Sequence, residues 1–202
     1  MDGQTQVGNK QIYKVAFTGP FGAGKTSAAF ITTGVLSELY GGDNAIAYII
    51  AFANPLKQCS LAFHRKEKER RFLQRIADVA REEFGDDIME RIFTANYESL
   101  ITNKVPQLHQ EHVVIMTDDL RFLNEYKLLK ELGFTVIRID ADAEIRRRRL
   151  GDSYTGTNHR SEIEMELFEP DFVLYNNVEE PLLVTFESNL KDILINNKIL
   201  EV

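Results

Sequence analysis

The sequence of 202 residues predicts an α/β fold, in which a five-stranded parallel sheet lies between two layers of helices. Two observations carry this prediction. Five short apolar runs are nearly continuous, as in strands that are buried on both faces of a parallel sheet. Segments with helical spacing separate these runs, and such alternation is typical of parallel crossovers. Because parallel strands end at one edge of the sheet, we expect a ligand to bind there.

The predicted strands and the first helices follow in chain order. The strands are IYKVAFT (12–18), AIAYIIAF (45–52), HVVIMT (112–117), FTVIRI (134–139) and FVLYN (172–176). The first helix, TSAAFITTGVLSELY, is expected to stop at Gly41 and Gly42, since glycine readily adopts the conformation that ends a helix. Asn54 is expected to cap the next helix, with Pro55 at its first position.

Two further helices are predicted from apolar residues that recur on one face. After the third strand these are Phe122, Tyr126, Leu129 and Leu132, and in the closing helix they are Leu183, Phe186, Leu190 and Ile193. Gly133 should end the former helix. The chain is long enough for one domain with a substantial core. We therefore expect a single domain over residues 1–202, in which residues 55–110 and residues 145–162 could each be an insert that covers the ligand edge.

Composition narrows the class of partner. The net charge of −7 disfavours general binding to nucleic acid or to an anionic membrane. The single cysteine, Cys59, cannot form an intrachain disulfide, and we expect it to be a buried small apolar residue. No apolar run approaches the length of a membrane span, and the polar N-terminus MDGQTQVGNK predicts a short flexible leader and not a signal peptide. A cytoplasmic protein is expected.

A phosphate-binding loop follows the first predicted strand. The segment GPFGAGKTS satisfies G-x-x-x-x-G-K-[ST] with Gly19, Gly24, Lys25 and Thr26. Glycines let successive N–H groups point at phosphate oxygens, and the following helix adds its positive N-terminal end. Lys25 can reach the β- and γ-phosphates, and the Thr26 hydroxyl can ligate Mg²⁺. The ATP-binding residues predicted from this loop are Gly19, Gly22, Ala23, Gly24, Lys25, Thr26 and Ser27.

Other motifs narrow the class to a small-molecule kinase. The segments TNKVP (102–106) and NNKIL (196–200) lack the aspartate of the [NT]-K-x-D motif of GTPases. A hydroxyl acceptor benefits from a positioned base. A phosphate acceptor does not, because its second pKa is about 6. A site for a phosphate acceptor needs cations that hold the two anions, the donor and acceptor phosphates, close together. This chain supplies such cations near the expected ligand edge.

The candidate cations lie on three segments. Lys57 falls in the first turn of the second helix, Arg121 follows the third strand, and a run of four arginines occupies 146–149. A polar stripe with helical spacing is formed by Arg71, Gln74, Asp78 and Arg81, opposite an apolar face of Phe72, Leu73, Ile76, Ala80 and Phe84. For an isolated helix, such a stripe is more typical of a solvated face, and the arginine run is compatible with surface charge. Four consecutive helical residues point in different directions, so two at most can face one ligand.

The acidic pair in TDDLRFLNE (117–125) has two interpretations. Asp118 and Asp119 end the third predicted strand, at the same edge as the phosphate loop, where they could hold a metal ion. Either carboxylate could instead cap the helix that follows.

At this point the sequence resembles the deoxynucleoside monophosphate kinases of tailed bacteriophages. The segments that carry the resemblance are GPFGAGKT, AFANPLKQ, RRFLQRIADVAREEFGDDIM, DLRFLNE and NHRSE. Taken in the same order, these segments are similar to five patterns of the family. The patterns are the phosphate loop, F-A-D-P-L-K, L-L-Q-x-x-G-T-E-x-x-R…D-x-W, D-V-R-F-x-N-E and H-P-S-E. Leu73, Gln74, Arg81 and Asp87 match the third pattern. The departures are Asn54 for aspartate, Ala77 for glycine and Ile88 for tryptophan.

The resemblance implies a P-loop kinase fold of the adenylate kinase type, with an acceptor-binding helical insert at about 55–105 and a mobile lid at about 145–162. It also implies transfer of the γ-phosphoryl group of Mg·ATP to a deoxynucleoside 5′-monophosphate. We predict that Thr26 with Asp118 or Asp119 positions Mg²⁺. The acceptor-binding candidates are Lys57, Gln74, Arg81, Asp119 and Arg121. The catalytic candidates are Lys25, Arg121, Arg146 and Arg149, where Arg146 and Arg149 share a helix face. Arg147, Arg148 and His159 are reserve candidates, although His159 could equally be a helix-entry residue.

Two other functions are compatible with the sequence. One is a kinase of the same fold that acts on a different phosphorylated small molecule, such as phosphomevalonate or a coenzyme precursor. The other is an ATP-binding regulatory module with a protein partner. We expect ATP and a monophosphate as partners, no nucleic acid and no membrane, and the sequence leaves a homodimer open.

Overall fold

The computed structural model describes residues 4–63, 70–151, 154, 160–177 and 183–200. It shows a mostly parallel sheet of six strands with helices on both faces, which confirms the predicted fold class. The strands are β1 (Gln4–Val7), β2 (Lys10–Thr18), β3 (Ala45–Ile49), β4 (His112–Leu120), β5 (Thr135–Asp140) and β6 (Phe172–Tyr175). The five strands from β2 to β6 are parallel and lie in the order β3-β4-β2-β5-β6. The strand that leads into the phosphate loop is thus central and directly beside β4.

Eight α-helices connect and cover these strands in the described part of the chain. They are α1 (Lys25–Tyr40), α2 (Asn54–Ala62), α3 (Arg70–Phe84), α4 (Ile88–Ser99), α5 (Leu123–Glu131), α6 (Ala143–Leu150), α7 (Arg160–Glu164) and α8 (Leu183–Asn196). A π-helical segment, Leu100–Lys104, and a 3-10 turn, Val105–Gln107, extend α4. The helix α1 ends at Gly41 as predicted, with φ at 80° and the Gly41 N–H donating to the Ser37 carbonyl.

Alternate residues of each central strand enter two different cores. In β4, Val114 and Met116 pack with α1 and α8, whereas Val113 and Ile115 pack with α4 and α5 on the opposite face. In α8, Phe186, Leu190 and Leu194 are fully buried against the first of these cores. The period-two alternation of a strand therefore determines which helical layer each residue meets.

The polar N-terminal segment is not a flexible leader over its described part, contrary to the prediction. Residues 4–7 form β1, which pairs antiparallel with residues 10–13 of β2. The same edge of β2 pairs with β5 further along, at residues 15–18. The buried amine of Lys14 donates to Thr5 Oγ1 at 2.7 Å and to the Leu132 carbonyl at 2.6 Å. This pairing covers an edge that β5 leaves open, which is why the sheet has six strands and not five.

Several predicted boundaries differ in a way that affects the site. The strand β3 stops at Ile49, whereas β4 continues through both aspartates to Leu120. Asn54 does not cap α2, because it is the first helical residue and the capping position is Ala53, with no side-chain cap. A longer β4 places the acidic pair within the sheet itself.

None of the helices in the described residues is long and apolar enough to cross a membrane.

Candidate active site

The glycines of the phosphate loop are required by its geometry. Gly19, at the end of β2, has φ at 129°, and a Cβ there would lie 2.0 Å from the Ile139 carbonyl oxygen. Gly24, with φ at 107°, is the residue that precedes α1. L-amino acids with side chains rarely adopt such angles, so only glycine fits both positions without strain. The sequence thus folds into a tight turn that opens directly into the N-terminus of α1.

The carbonyl groups of this loop are engaged by donors from three elements. Lys25 Nζ donates to the carbonyls of Gly19 at 2.6 Å and Pro20 at 3.0 Å. The carbonyls of Phe21, Gly22 and Ala23 accept, in turn, from Arg146 Nη1 at 3.4 Å, Arg149 Nη1 at 3.3 Å and Asn176 Nδ2 at 2.8 Å. Five consecutive carbonyls are therefore fixed by side chains. A trans peptide directs its N–H opposite to its C=O, so these contacts also fix the N–H directions of the loop.

The two aspartates of β4 point to opposite faces of the sheet. Asp118 continues the face of Val114 and Met116, next to α1, and its Oδ2 accepts from Thr26 Oγ1 at 2.6 Å. Asp119 instead accepts from the N–H groups of Phe52 and Ala53, and Phe52 belongs to the core on the other face. The structure thus separates two residues that the sequence could not distinguish.

Asp119 holds the segment that joins β3 to α2. Its Oδ1 accepts from the Phe52 N–H at 3.0 Å and from Thr117 Oγ1 at 3.0 Å, and its Oδ2 accepts from the Ala53 N–H at 2.9 Å. A carboxylate with three donors is well satisfied within the protein. Asp119 therefore fixes the entrance to α2, the helix that carries Lys57.

The residues beside the loop fit a magnesium ion bound together with nucleotide phosphates. Thr26 Oγ1 and the Asp118 carboxylate supply two adjacent oxygen donors at the phosphate loop. No group of three or more histidine, cysteine, aspartate or glutamate side chains that could hold a metal occurs among the described residues. Mg²⁺ is commonly held by one or two protein oxygens, with water and substrate phosphates completing its octahedron. The donor set is suited to that ion.

The start of α5 is capped by Glu125 and not by the aspartates, contrary to one interpretation of the sequence. Glu125 is buried, and its Oε2 accepts from the N–H groups of Arg121 at 2.9 Å and Phe122 at 3.0 Å. Burial raises the pKa of Glu125 to about 8, and the Asp119 carboxylate adds to the increase, while the two N–H groups act in the opposite direction. Asp118 and Asp119 precede the capping position, Phe122, and cannot reach the helix end in this way.

One cavity of about 970 Å³ brings most of the predicted site residues together. Its walls include Gly22, Gly24, Lys25, Thr26, Ser27, Lys57, Gln74, Arg81, Asp118, Asp119, Arg121 and Arg149. Six cationic side chains line it, against four acidic ones, in a chain of net charge −7. Protonation of Glu125 near neutrality reduces the opposing charge further. The cavity is thus a local cationic site suited to anionic ligands.

The helix α3 turns its polar stripe toward this cavity. Gln74, Asp78 and Arg81 line the wall, and the Arg81 guanidinium lies 4.6 Å from the centre of the Phe122 ring. Asp78 is nevertheless 73% exposed, so this part of the stripe is also solvated. The side chain of Arg71 lies outside the described residues. On the predicted apolar face, Phe84 is 65% exposed.

Apolar side chains line the part of the cavity between α2, α3 and α5. They are Phe52, Leu56, Leu73, Ala77, Met89 and Phe122. Cys59, which was expected to be buried, is partly exposed on α2 and does not line the cavity.

The arginines of α6 differ in their surroundings. Arg146 is 8% exposed, donates through Nε to the Ala141 carbonyl at 3.0 Å and does not line the cavity. Arg148 and Arg149 line the cavity, and Arg147 pairs with Glu144 at 2.9 Å. The contacts of Arg146 and Arg149 with the loop carbonyls agree with a shared helix face. Of the predicted lid, residues 145–151, 154 and 160–162 are described, whereas His159 lies outside the described residues.

Glu125, Phe122 and Asn176 are among the cavity residues that were not singled out from the sequence as site residues. Glu125 stands at the last position of the DLRFLNE motif, so its place three residues after Phe122 was a usable capping signal. Phe122 stands in the same motif. Asn176 ends the last strand segment and lies 152 residues after Gly24, so no local pattern in the chain could indicate its contact with the loop.

Comparison with solved structures finds proteins of similar fold at low sequence identity. A shikimate kinase from Acinetobacter baumannii in complex with shikimate is 12% identical, with 94% of this chain and 96% of that chain covered and a TM-score of 0.43. The APS kinase CysC of Mycobacterium tuberculosis in complex with AMPPNP and APS is 13% identical, with 90% and 96% covered and a TM-score of 0.49. A thymidylate kinase from Ehrlichia chaffeensis is 17% identical, with 91% of this chain and 99% of that chain covered and a TM-score of 0.43.

No protein-family model matches the sequence, and no curated protein is similar to it at a significant level. The function of the chain is therefore inferred from its own residues.

Proposed function

We propose that the protein is an ATP-dependent kinase that phosphorylates a deoxynucleoside 5′-monophosphate to the diphosphate. The observation that carries the proposal is the continuous cavity of about 970 Å³ that joins the phosphate loop to Lys57, Arg81 and Arg121. This volume is at the upper end of the range for small-molecule sites. It suits two ligands that meet end to end.

The apolar part of the cavity favours a nucleotide acceptor. Leu73 and Phe122 are partly exposed apolar residues of the wall, and Gln74 on the same wall offers an amide that can donate and accept hydrogen bonds. A nucleobase requires this combination of apolar contact and a few polar groups. The deoxyribose assignment rests on the sequence resemblance to the phage kinases.

The chemistry needs positioned charges more than a base. An oxygen of the acceptor phosphate attacks the γ-phosphorus, the bond from that phosphorus to the β–γ bridging oxygen breaks, and ADP leaves. The attacking oxygen is already largely ionised near neutrality, so no proton has to be removed. Mg²⁺, held by Thr26 and Asp118, would neutralise phosphate charge. Lys25 and Arg149 would stabilise the charge on the transferring oxygens, and Arg121 and Lys57 would hold the acceptor.

Purified protein with Mg·ATP and each of the four deoxynucleoside monophosphates tests the proposal. We expect ADP and the matching diphosphate to form with at least one of them. Lys25→Ala should lower turnover by roughly 10²–10³-fold, because a donor to the phosphates is lost. The control Lys191→Ala removes a surface lysine that pairs with Glu38 on α1, and it should behave like the wild type. ATP hydrolysis that no monophosphate stimulates would contradict the kinase assignment.

The acceptor side is tested by Arg121→Ala. Loss of a cation at the acceptor phosphate should raise KM for the monophosphate by roughly tenfold or more, with a smaller effect on KM for ATP. Arg91→Ala, an exposed arginine of α4 outside the cavity wall, is the matched control. The opposite pattern, with KM for ATP raised more, would remove Arg121 from the acceptor site.

A further inference from the structure

Asn176 occupies a position where the last strand, the α6 arginines and the phosphate loop meet. It directly follows β6 and is 4% exposed, and its N–H donates to the Asp140 carbonyl at the end of β5 at 2.7 Å. Its side-chain amide makes two contacts in different directions. Nδ2 donates to the Ala23 carbonyl at 2.8 Å, and Oδ1 accepts from Arg149 Nη2 at 3.1 Å.

The contact with Ala23 fixes one peptide of the phosphate loop. The Ala23 carbonyl points at Asn176, so the Gly24 N–H on the same trans peptide points away from it. Gly24 and Asn176 both line the cavity. A Cβ at Gly24 would lie 2.4 Å from Asn176 Nδ2, which shows how closely the amide packs beneath the loop. Asn176 thus supports the loop at the Ala23–Gly24 peptide.

The contact with Arg149 joins the same amide to α6. Arg149 Nη2 also donates to the Asn176 main-chain carbonyl at 2.8 Å, and Nη1 donates to the Gly22 carbonyl at 3.3 Å. One guanidinium therefore bridges Asn176 and the loop. Both hydrogen-bonding functions of the Asn176 amide are used, and only an amide provides a donor and an acceptor in this arrangement.

We propose that Asn176 is a positioning residue for the nucleotide phosphates, which acts by fixing the Ala23–Gly24 peptide and by orienting Arg149. It does not touch the reacting atoms itself. This inference rests on the proposed function, because it takes the loop to bind the phosphates of ATP.

The neighbouring asparagine provides a matched control. Asn177 is exposed, and its Oδ1 accepts from the Asp142 N–H at 2.8 Å, just before α6. It makes a comparable side-chain contact with the backbone in the same segment and does not line the cavity.

The test compares Asn176→Ala, Asn176→Asp and Asn177→Ala with the wild type. Dissociation constants for Mg·ATP and for the monophosphate that the wild type uses are measured by calorimetry, well below the Tm of each variant. Asn176→Asp keeps an acceptor for Arg149 but places an oxygen opposite the Ala23 carbonyl, so it breaks the loop contact alone. We expect both Asn176 variants to weaken Mg·ATP binding by at least about tenfold, which is the loss typical of an unpaired buried group. Monophosphate binding should change by less than about twofold, and Asn177→Ala should leave both constants unchanged.

The outcomes separate this role from the proposed function. A wild type that does not bind Mg·ATP would overturn both. If the wild type binds Mg·ATP and Asn176→Asp binds it equally well, the positioning role through Ala23 is overturned while the kinase assignment stands. A folded Asn176→Ala variant with lower Tm but wild-type affinity for Mg·ATP would show a structural role only, and would also overturn the proposal.

Discussion

At the scale of single residues, the acidic pair of β4 divides into two functions. Asp118 faces the Thr26 hydroxyl at the phosphate loop, whereas Asp119 accepts three hydrogen bonds that hold the entrance to α2. Because their partners lie on α1 and on the segment before α2, adjacent carboxylates in one sequence motif have different roles.

Asp118→Asn and Asp119→Asn should therefore affect different properties, the first turnover and the second stability. Asp118→Asn keeps an oxygen for Thr26 but removes the charge, so we expect turnover to fall roughly 10–100-fold and the Mg²⁺ requirement to rise. Asp119→Asn turns an NH₂ group toward a backbone N–H, which should cost about 1–3 kcal/mol in free energy of unfolding. Magnesium titrations of turnover and urea unfolding check both, and each variant is the control for the other. Equal effects of the two variants on the Mg²⁺ requirement would contradict this division.

Glu125 predicts a dependence of stability on pH with an unusual sign. Its pKa in the folded protein is about 8, above the ordinary value of 4.5, so between these values the folded chain holds a proton that the unfolded chain has lost. Stability linked to this group is therefore complete below about pH 4.5 and falls as the pH rises through about 8. The glutamine of the Glu125→Gln variant cannot ionise, so this fall in stability with rising pH should be absent.

The Glu125→Gln variant is compared with the wild type by urea unfolding across this pH range. Because the pKa is raised from 4.5 to about 8, we expect the wild type to lose roughly 4 kcal/mol relative to the variant between about pH 5 and pH 9. Glu187→Gln, an exposed glutamate of α8, should leave the pH dependence as it is in the wild type. A difference between Glu125→Gln and the wild type that is constant with pH would show that Glu125 is ionised throughout.

At the scale of elements, the phosphate loop depends on how closely β2 approaches β5. A methyl group at Gly19 would lie 2.0 Å from the Ile139 carbonyl oxygen, a backbone atom of a paired strand that cannot move freely. The loop can thus form only where the central strand ends in glycine. A turn on the surface would not impose that restriction.

Two glycine substitutions test this requirement. Gly19→Ala should lower the free energy of unfolding by roughly 3 kcal/mol, through the clash and the strained φ. Gly34→Ala, at an exposed position of α1 with nothing within 4 Å of the added methyl, should raise it by about 0.5–1 kcal/mol. Urea unfolding of both variants measures the difference. Similar changes in the free energy of unfolding of both variants would mean that the backbone of β5 moves at Ile139 to make room for the methyl group.

The elements that the sequence predicted well are those with strong local signals. The helix α1, its stop at Gly41 and the five parallel strands each follow from residues that are near one another in the chain. The strand that the sequence did not predict, β1, has the polar composition QTQV. It lies at an edge of the sheet and needs only the backbone of β2 as a partner. Its existence depends on pairing and not on an apolar pattern.

At the scale of the whole molecule, the cavity concentrates positive charge in an acidic protein. Its cations come from five segments: Lys25 on α1, Lys57 on α2, Arg81 on α3, Arg121 after β4, and Arg148 and Arg149 on α6. Holding like charges together costs free energy until an anion binds. A bound polyphosphate should therefore stabilise the entire fold.

Thermal unfolding with and without Mg·ATP checks this expectation. At a concentration about a hundredfold above Kd, Mg·ATP should raise the free energy of unfolding by about 2.7 kcal/mol, with a matching rise in Tm. Lys25→Ala should lose most of the shift, and Lys191→Ala should keep it. An equal shift in both variants would show that the nucleotide binds elsewhere.

By itself, the sequence determined the α/β class, the phosphate loop and the set of charged candidates, since each depends on residue type and on spacing within one segment. Only the tertiary structure decided that Asp118 and not Asp119 faces the loop, that Glu125 is buried and caps α5, and that Asn176 supports Ala23. These outcomes depend on which face of the sheet each helix covers and on contacts between residues far apart in the chain. Such contacts are set by the packing of the whole domain, and no local pattern in the sequence records them.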